Sequence, residues 1–286
     1  VSITVDHKQQ VSIRAGAAFF QITAMDSEDY PELPDVNGKS GVTMPQSALK
    51  AMISGTIFSV SENQARPIQT GCLMEVTEDS VTMVAVDSFR LARRTWHTEN
   101  AANHTLKFVV PAAGLKEIER ILEDSDEPVT FTLGDKHILF SIGDALLVSR
   151  VLEGEFIDWR RVVPTNCGTV LTANVAELTS SIERVSLIIS EKVKSPVRCV
   201  FGDNMADFRT ANTIGSAHDT CSIAGNGGEL EIGFNSRYLL DALRVIPSEE
   251  VTLELQNGLS PIVFTPCDKK YDFAYMVLPV RLRSNS

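Results

Sequence analysis

The chain has 286 residues, of which 43% are hydrophobic and 22% charged, with a net charge of −11. That composition is that of a folded globular chain of about two domains and excludes long disorder. No apolar run approaches the ~20 residues of a membrane-spanning helix, no basic-then-apolar leader precedes the first strand pattern, and an acidic excess argues against a plain basic nucleic-acid patch.

The elements follow in chain order. The chain opens on Val1, already inside the strand pattern VSITV, and not on Met; a strand met partway predicts a piece of a longer chain. MPQSALKAMISGTIFSVS from Met44 predicts a helix, with Pro45 at its first position, followed by strands. FVVPAAGLKEIERIL from Phe108 predicts a second helix, opened by Pro111, with Leu115, Ile118, Ile121 and Leu122 as one apolar stripe. Val129, Phe131 and Leu133, then Ile138 and Phe140, alternate as half-buried strands do, with Gly134-Asp135 as the turn between them. Asn174 and Asn235 suit the N-cap of two further helices. In the second of these, Tyr238, Leu239, Ala242 and Ile246 form the apolar stripe. Val251, Leu253 and Leu255 then alternate up to the turn Asn257-Gly258.

These elements repeat. Leu49, Ile53, Phe58, Val60 and Ser61 align with Leu178, Ile182, Leu187, Ile189 and Ser190 at a spacing of 129, which also sets Pro67 on Pro196. Leu115, Arg120 and Ile121 meet Leu239, Arg244 and Val245 at 124, and VTFTL at Val129 meets VTLEL at Val251 at 122. The drift is that of small loop deletions. VSITVDHKQQ at the start matches VTFTLGDKHI at a spacing of 128. The expected organisation is therefore a remnant over 1–36 and two complete α+β copies over 37–165 and 166–286, each with two helices on antiparallel sheet. Net charges of −4, −4 and −3 over these segments leave no basic arm.

Recognisable catalytic chemistry is absent from the pattern. The five cysteines, Cys72, Cys167, Cys199, Cys221 and Cys267, form no CxxC pair and read as small buried hydrophobes in a reducing compartment. The histidines have no metal-ligand spacing, and no nucleophile elbow or phosphate loop occurs. Gly225-Asn226-Gly227-Gly228 leads into a strand pattern, not a helix, and predicts a hairpin turn. Glu123-Asp124-Ser125-Asp126-Glu127 lacks EF-hand spacing and predicts a solvated loop. Neither an enzyme, a metal nor a cofactor is expected.

RPIQTG from Arg66, VDSFRLA from Val86, EGEFIDWRRVVP from Glu153, GFNSRYLLDAL from Gly233 and YMVLPVRL from Tyr275 occur in this order. Together with the repeat, over essentially the whole chain, they resemble the bacterial DNA polymerase III beta subunit, the sliding clamp. The resemblance implies the DNA clamp fold: three similar domains per chain, the first here cut short, and two chains closed head to tail as a homodimeric ring around duplex DNA. It implies a processivity factor without catalytic activity, cytoplasmic, that tethers the replicative polymerase. It also implies a groove for short peptide motifs of the polymerase, the clamp loader and other partners. The matching groove positions are Arg66, Val86, Ser88, Phe89, Arg90, Leu91, Ile157, Arg161 and Val162 in the second domain. The third supplies Asn235, Tyr238, Leu259, Pro261, Met276, Leu278, Pro279, Val280, Arg281 and Leu282. Apolar anchors rimmed by arginine are what a peptide hot spot needs. Ile157 stands where the family often has Pro, Phe89 where it often has His, and Ser284-Asn285-Ser286 lies past the usual ending.

DNA-facing positions implied by the resemblance are the loop residues Asn63, Arg66, Lys192 and Lys194. The polar faces of the repeated helices add Lys50, Lys116, Arg120, Arg184, Arg237 and Arg244. Such a lining holds phosphates weakly and without reading sequence. Glu117, Glu177 and Asp241 among them equally suit an ordinary mixed face, and Ala112 and Ala113 replace basic residues common in the family. Phe20 and Ile22 match positions that meet Leu187 and Ile188 of a second copy across the dimer interface. The alternative is a peptide-binding scaffold that does not touch DNA; retention on circular but not linear DNA separates the two.

Overall fold

The computed structural model describes residues 1–26, 28, 34, 36, 41–99, 105–190 and 195–282. The chain divides into two compact units, Val1–Asp35 and Val36–Ser286.

The first unit is an antiparallel meander of β1 (Ser2–Val5), β2 (Gln10–Ala15) and β3 (Ala18–Thr23). In the second unit the first half runs β4 (Gly41–Pro45), α1 (Gln46–Ser54), β5 (Gly71–Val76), β6 (Ser80–Val86), β7 (Arg90–His97), β8 (Leu106–Pro111) and α2 (Ala112–Ile121). It closes with β9 (Pro128–Leu133), β10 (His137–Ile142) and β11 (Ala145–Arg150). The second half runs β12 (Thr169–Asn174), α3 (Val175–Ser186), β13 (Val197–Ala211), β14 (Ser216–Phe234) and α4 (Ser236–Leu243), then β15 (Glu250–Leu255), β16 (Ile262–Pro266) and β17 (Phe273–Val277).

The repeat is visible in the elements. α1 and α3 begin 129 residues apart, α2 and α4 124 apart, and β9 and β15 122 apart. In each half the paired helices bury one stripe: Leu49, Met52 and Ile53 with Leu115 and Ile118, then Leu178, Ile182 and Val185 with Leu239 and Ala242. Ile121, expected in the buried stripe, is exposed, because Leu122, which follows the last residue of α2, turns into the core instead.

The first unit repeats β9 to β11. Gln10↔Thr23 and Ala15↔Ala18 in β2–β3 have the register of His137↔Arg150 and Ile142↔Ala145 in β10–β11, each 127 residues on. Ser2↔Arg14 corresponds to Thr130↔Ser141, so β1 keeps the 128 spacing and the β1–β2 turn holds one extra residue. Gln9 in that turn takes the left-handed conformation at φ 61° that such an insertion needs.

Helix starts are local. The side chains of Asn174 and Asn235 accept from the N–H groups of Glu177 and Arg237, each at 3.0 Å. Pro45 and Pro111 stand one residue earlier than expected, at the N-cap, with extended ψ of 142° and 138°. Both also end a strand, which holds them in that conformation.

Two sheets organise the second unit. β11-β10-β9-β4 form one; the other has ten strands, β13-β14-β12-β15-β16-β17-β7-β6-β5-β8. Its seam is β17 against β7, antiparallel from Phe273↔Arg94 to Val277↔Arg90, which joins the two halves by backbone bonds. The glycine cluster is not a hairpin turn. It lies inside the 19-residue β14, where the register with β13 shifts. A Cβ on Gly227 would sit 2.2 Å from the Phe201 carbonyl oxygen, so the two backbones approach there as only glycine allows. The acidic run 123–127 is the loop between α2 and β9, as expected.

Candidate functional site

Chemistry-bearing residues concentrate at the seam. Beneath it, Val86 and Leu91 from one half and Val263, Ala274 and Met276 from the other form a buried cluster, with Phe156 and half-buried Ile157, Trp159 and Val163 packed on it. Val86, Leu91 and Met276 are thus the floor of the junction and have almost no surface to offer. Glu75 anchors the following segment: it receives Arg160 at 2.8 Å and the Trp159 indole N–H at 3.3 Å. Burial pushes its carboxyl up, but these donors and Lys107 outweigh that and hold it below the usual value.

Above the floor, Phe89 stacks on Tyr238 with centroids 5.8 Å apart. The Arg90 guanidinium lies 4.6 Å from the Tyr238 ring centroid and 5.6 Å from that of Phe58. It pairs with Asp87 at 3.0 Å and across the seam with Asp241 of α4 at 2.5 Å. A mostly buried cation held by two carboxylates and two aromatic faces fixes α4 relative to β7.

Past β17 the chain crosses the seam. The Leu278 N–H donates to the Phe89 carbonyl at 2.8 Å, and the Val280 N–H donates to the Gly233 carbonyl at 2.7 Å. Gly233 is required there, since a Cβ would meet the Val280 oxygen at 2.7 Å and Leu282 Cδ2 at 2.6 Å. Asn235, Tyr238 and Val280 then line a cavity of about 700 Å³ with Ile189 and Pro196. Ser88, Phe89, Arg90 and Tyr238 line a second, of about 620 Å³, shared with Asn63, Lys116 and Arg237. Val280, Arg281 and Leu282 edge a third. The remaining expected groove residues line none of these three. Arg66, Arg161, Val162, Leu259 and Leu278 are exposed, Arg161 pairing with Asp158 at 2.9 Å, while Pro261 and Pro279 are half-buried. Phe58, Asp241, Gly233 and Pro196 belong to the site and were not singled out from sequence. The signals available were the i,i+4 spacing of Arg237 and Asp241, and the glycine two residues before a helix cap.

The helix layer differs in character. Arg120 pairs with Glu117 at 3.1 Å, Arg244 with Glu183 at 2.9 Å and Arg237 with Asp241 at 4.0 Å. Arg184 is held by Asp219, whose carboxyl it keeps below the usual range. Among the described residues Lys50, Arg66 and Lys116 have no such pair. Lys192 and Lys194 lie outside the described residues. The helical face is therefore close to neutral, with the mixed character that its glutamates suggest.

Phe20 and Ile22 are 59% and 53% exposed on β3, and Leu187 is 83% exposed just after α3. Ile188 is half-buried, and its carbonyl accepts from Asn212 at 2.8 Å. Among the described residues no helix is long and apolar enough to cross a membrane, and no cluster of His, Cys, Asp and Glu could hold a metal.

Comparison with known proteins covers this geometry almost entirely. The family model for the DNA polymerase III beta subunit central domain matches residues 43–158, and that for its C-terminal domain matches 160–281. The beta sliding clamp of Staphylococcus epidermidis is 29% identical over 98% of this chain and 74% of its own length. A DNA polymerase III beta-subunit structure from Eubacterium rectale superposes with a TM-score of 0.91 at 32% identity, covering 97% of this chain and 75% of that one. A sliding clamp from Pseudomonas aeruginosa bound to griselimycin gives 0.91 at 29% identity, covering 98% and 75%.

Proposed function

We infer, from membership of the DNA polymerase III beta-subunit family, to which this chain belongs, that the protein is a DNA sliding clamp, a processivity factor that encloses duplex DNA and tethers the replicative polymerase. The observation that carries this is the pair of domain matches falling on the two halves of one unit, joined by an unbroken sheet at β17–β7.

The protein works by holding partners, not by catalysis. The domains are a first-domain portion over 1–36, a central domain over 37–165 and a C-terminal domain over 166–286; the shared β2–β3 and β10–β11 register supports the first of these. Partner peptides seat their apolar residues beside Tyr238, against Val280 and Leu278, with Phe89, Arg90 and Asn235 at the rim. The polymerase, the clamp loader and other motif-bearing proteins compete for this place. The near-neutral helix layer, through Lys50 and Lys116, and the loop residue Arg66 support weak, sequence-independent contact, which lets the ring slide. Two copies close head to tail, with Phe20 and Ile22 of one against Leu187 and Ile188 of the next. Replication of chromosomal DNA places the protein in the bacterial cytoplasm.

Leu278→Asp tests the groove. Leu278 is 36% exposed, so a carboxylate there reaches water and the fold survives. Fluorescence anisotropy with a labelled clamp-binding peptide of the polymerase should show binding abolished, with an unchanged circular dichroism spectrum. Unchanged affinity would sink the assignment.

A further inference from the structure

The cavity beside Tyr238 does not end at Val280. Ser195, Pro196 and Val280 line it and also line a larger trough of about 1150 Å³. The trough lies along β13 and the start of β14, edged by Arg281 and Leu282. Its lining holds three arginines, Arg198, Arg209 and Arg281, beside the His218 imidazole, with no Asp or Glu among its lining residues. Three arginines against the two carboxylates that engage them, Asp207 and Glu231, leave a net positive charge there, in a chain that carries −11 overall.

The carboxylates that engage these cations stand outside the lining. Asp207 meets Arg209 and His218, each at 2.6 Å, and Glu231 meets Arg198 at 2.5 Å. Arg281 has no carboxylate partner among the described residues. A guanidinium carries five N–H donors and a single carboxylate engages two at most, so donors remain free on each arginine.

We propose that this trough receives an acidic stretch of the same partner segment whose apolar residues sit beside Tyr238. The proposal rests on the groove reading above and adds a charge preference to it. Continuity through Val280 lets one extended chain run from the apolar cavity into the trough. Charge complementarity selects Asp and Glu for the part that enters it. A nucleic-acid strand is the less fitting occupant: such sites pair cations with aromatic platforms, and the trough lining has no Phe, Tyr or Trp. Charge contacts at this exposure are individually weak, so three together make about a tenfold preference at low salt, fading as salt rises.

The test uses this chain and synthetic peptides. Each has an apolar anchor of two leucines and a phenylalanine, flanked on either side in turn by three glutamates or three glutamines. In anisotropy titrations the glutamate peptide should bind about tenfold tighter at low salt, and the two should converge near about 0.5 M salt. The double variant Arg198→Gln/Arg209→Gln should lose the preference while binding the glutamine peptide as before. Arg198→Lys/Arg209→Lys should keep most of it, which separates charge from fold. Equal low-salt affinities, with the glutamine peptide still bound, overturn the trough and leave the groove standing. Binding of neither peptide removes both. Displacement of the glutamate peptide by oligothymidylate more readily than by oligoglutamate assigns the trough to nucleic acid and overturns the proposal.

Discussion

Gly233→Ala adds one methyl group at the point where the C-terminal segment crosses β14. Gly233 pairs with Arg198 of β13 and is buried, so its own strand has no room to retreat. The new Cβ would stand 2.7 Å from the Val280 oxygen, against ordinary contact at about 3.5–4.0 Å, so residues 280–282 must lift by about 1 Å. That breaks or stretches the 2.7 Å bond from the Val280 N–H to the Gly233 carbonyl, a loss of about 1 kcal/mol. Leu282 gives up part of its packing, worth about another 0.8 kcal/mol per methylene exposed. Urea unfolding should therefore show about 1–2 kcal/mol of destabilisation with an unchanged slope. The groove suffers more directly, because Val280 walls both the cavity beside Tyr238 and the trough beyond it. A wall displaced by about 1 Å should weaken peptide affinity about tenfold, or 1.4 kcal/mol. The backbone at Gly233 lies outside the left-handed region, so crowding alone is responsible and Gly233→Ser should behave alike. Affinity within about twofold of the parent would show that residues 280–282 are either not crowded by the new methyl group or not part of the site.

Acid should loosen the seam. Burial raises the Asp272 carboxyl, but Arg93 at 2.6 Å and His97 at 2.8 Å outweigh it and hold Asp272 below the ordinary 3.8. A depressed carboxylate stabilises fully above its unfolded value and loses that contribution as pH falls through the folded one. Urea midpoints should accordingly drop below about pH 3.8, and Asp272→Asn should flatten that part of the profile. Linear duplex binding should have a logarithmic salt slope of about −3, set by Lys50, Arg66 and Lys116. A slope of −6 or steeper would show that the paired arginines leave their carboxylates for phosphate. Leu187→Lys with Ile188→Lys should leave a folded monomer in gel filtration under conditions where the parent chain dimerises. A dimer that persists would exclude that contact.

From the amino-acid order alone came the repeat, its spacings, the apolar stripes of α2 and α4 apart from Ile121, and the asparagine caps of α3 and α4. Stripes and caps depend on residues within a helical turn, so their pattern lies in neighbouring letters, and the repeat is that local pattern written twice. The clamp resemblance was legible in the same way, as five ordered segments. Its site was legible only in part. Val86, Leu91 and Met276 prove to be floor, while Phe58, Gly233 and Asp241 enter the site because distant strands meet. Arg90 and Asp241 are 151 residues apart and share a salt bridge only because β17 pairs with β7. The glycine cluster read as a turn, yet the close approach of Phe201 across the strand pair makes it a bulge. The helix arginines read as a basic lining, yet Asp219, on a strand beyond the helices, and Glu183, on the facing helix, neutralise two of them. Local preference sets which elements form. Tertiary packing decides which charges and which backbones face one another, because Coulomb energy and steric contact depend on distance in space, whatever the separation along the chain.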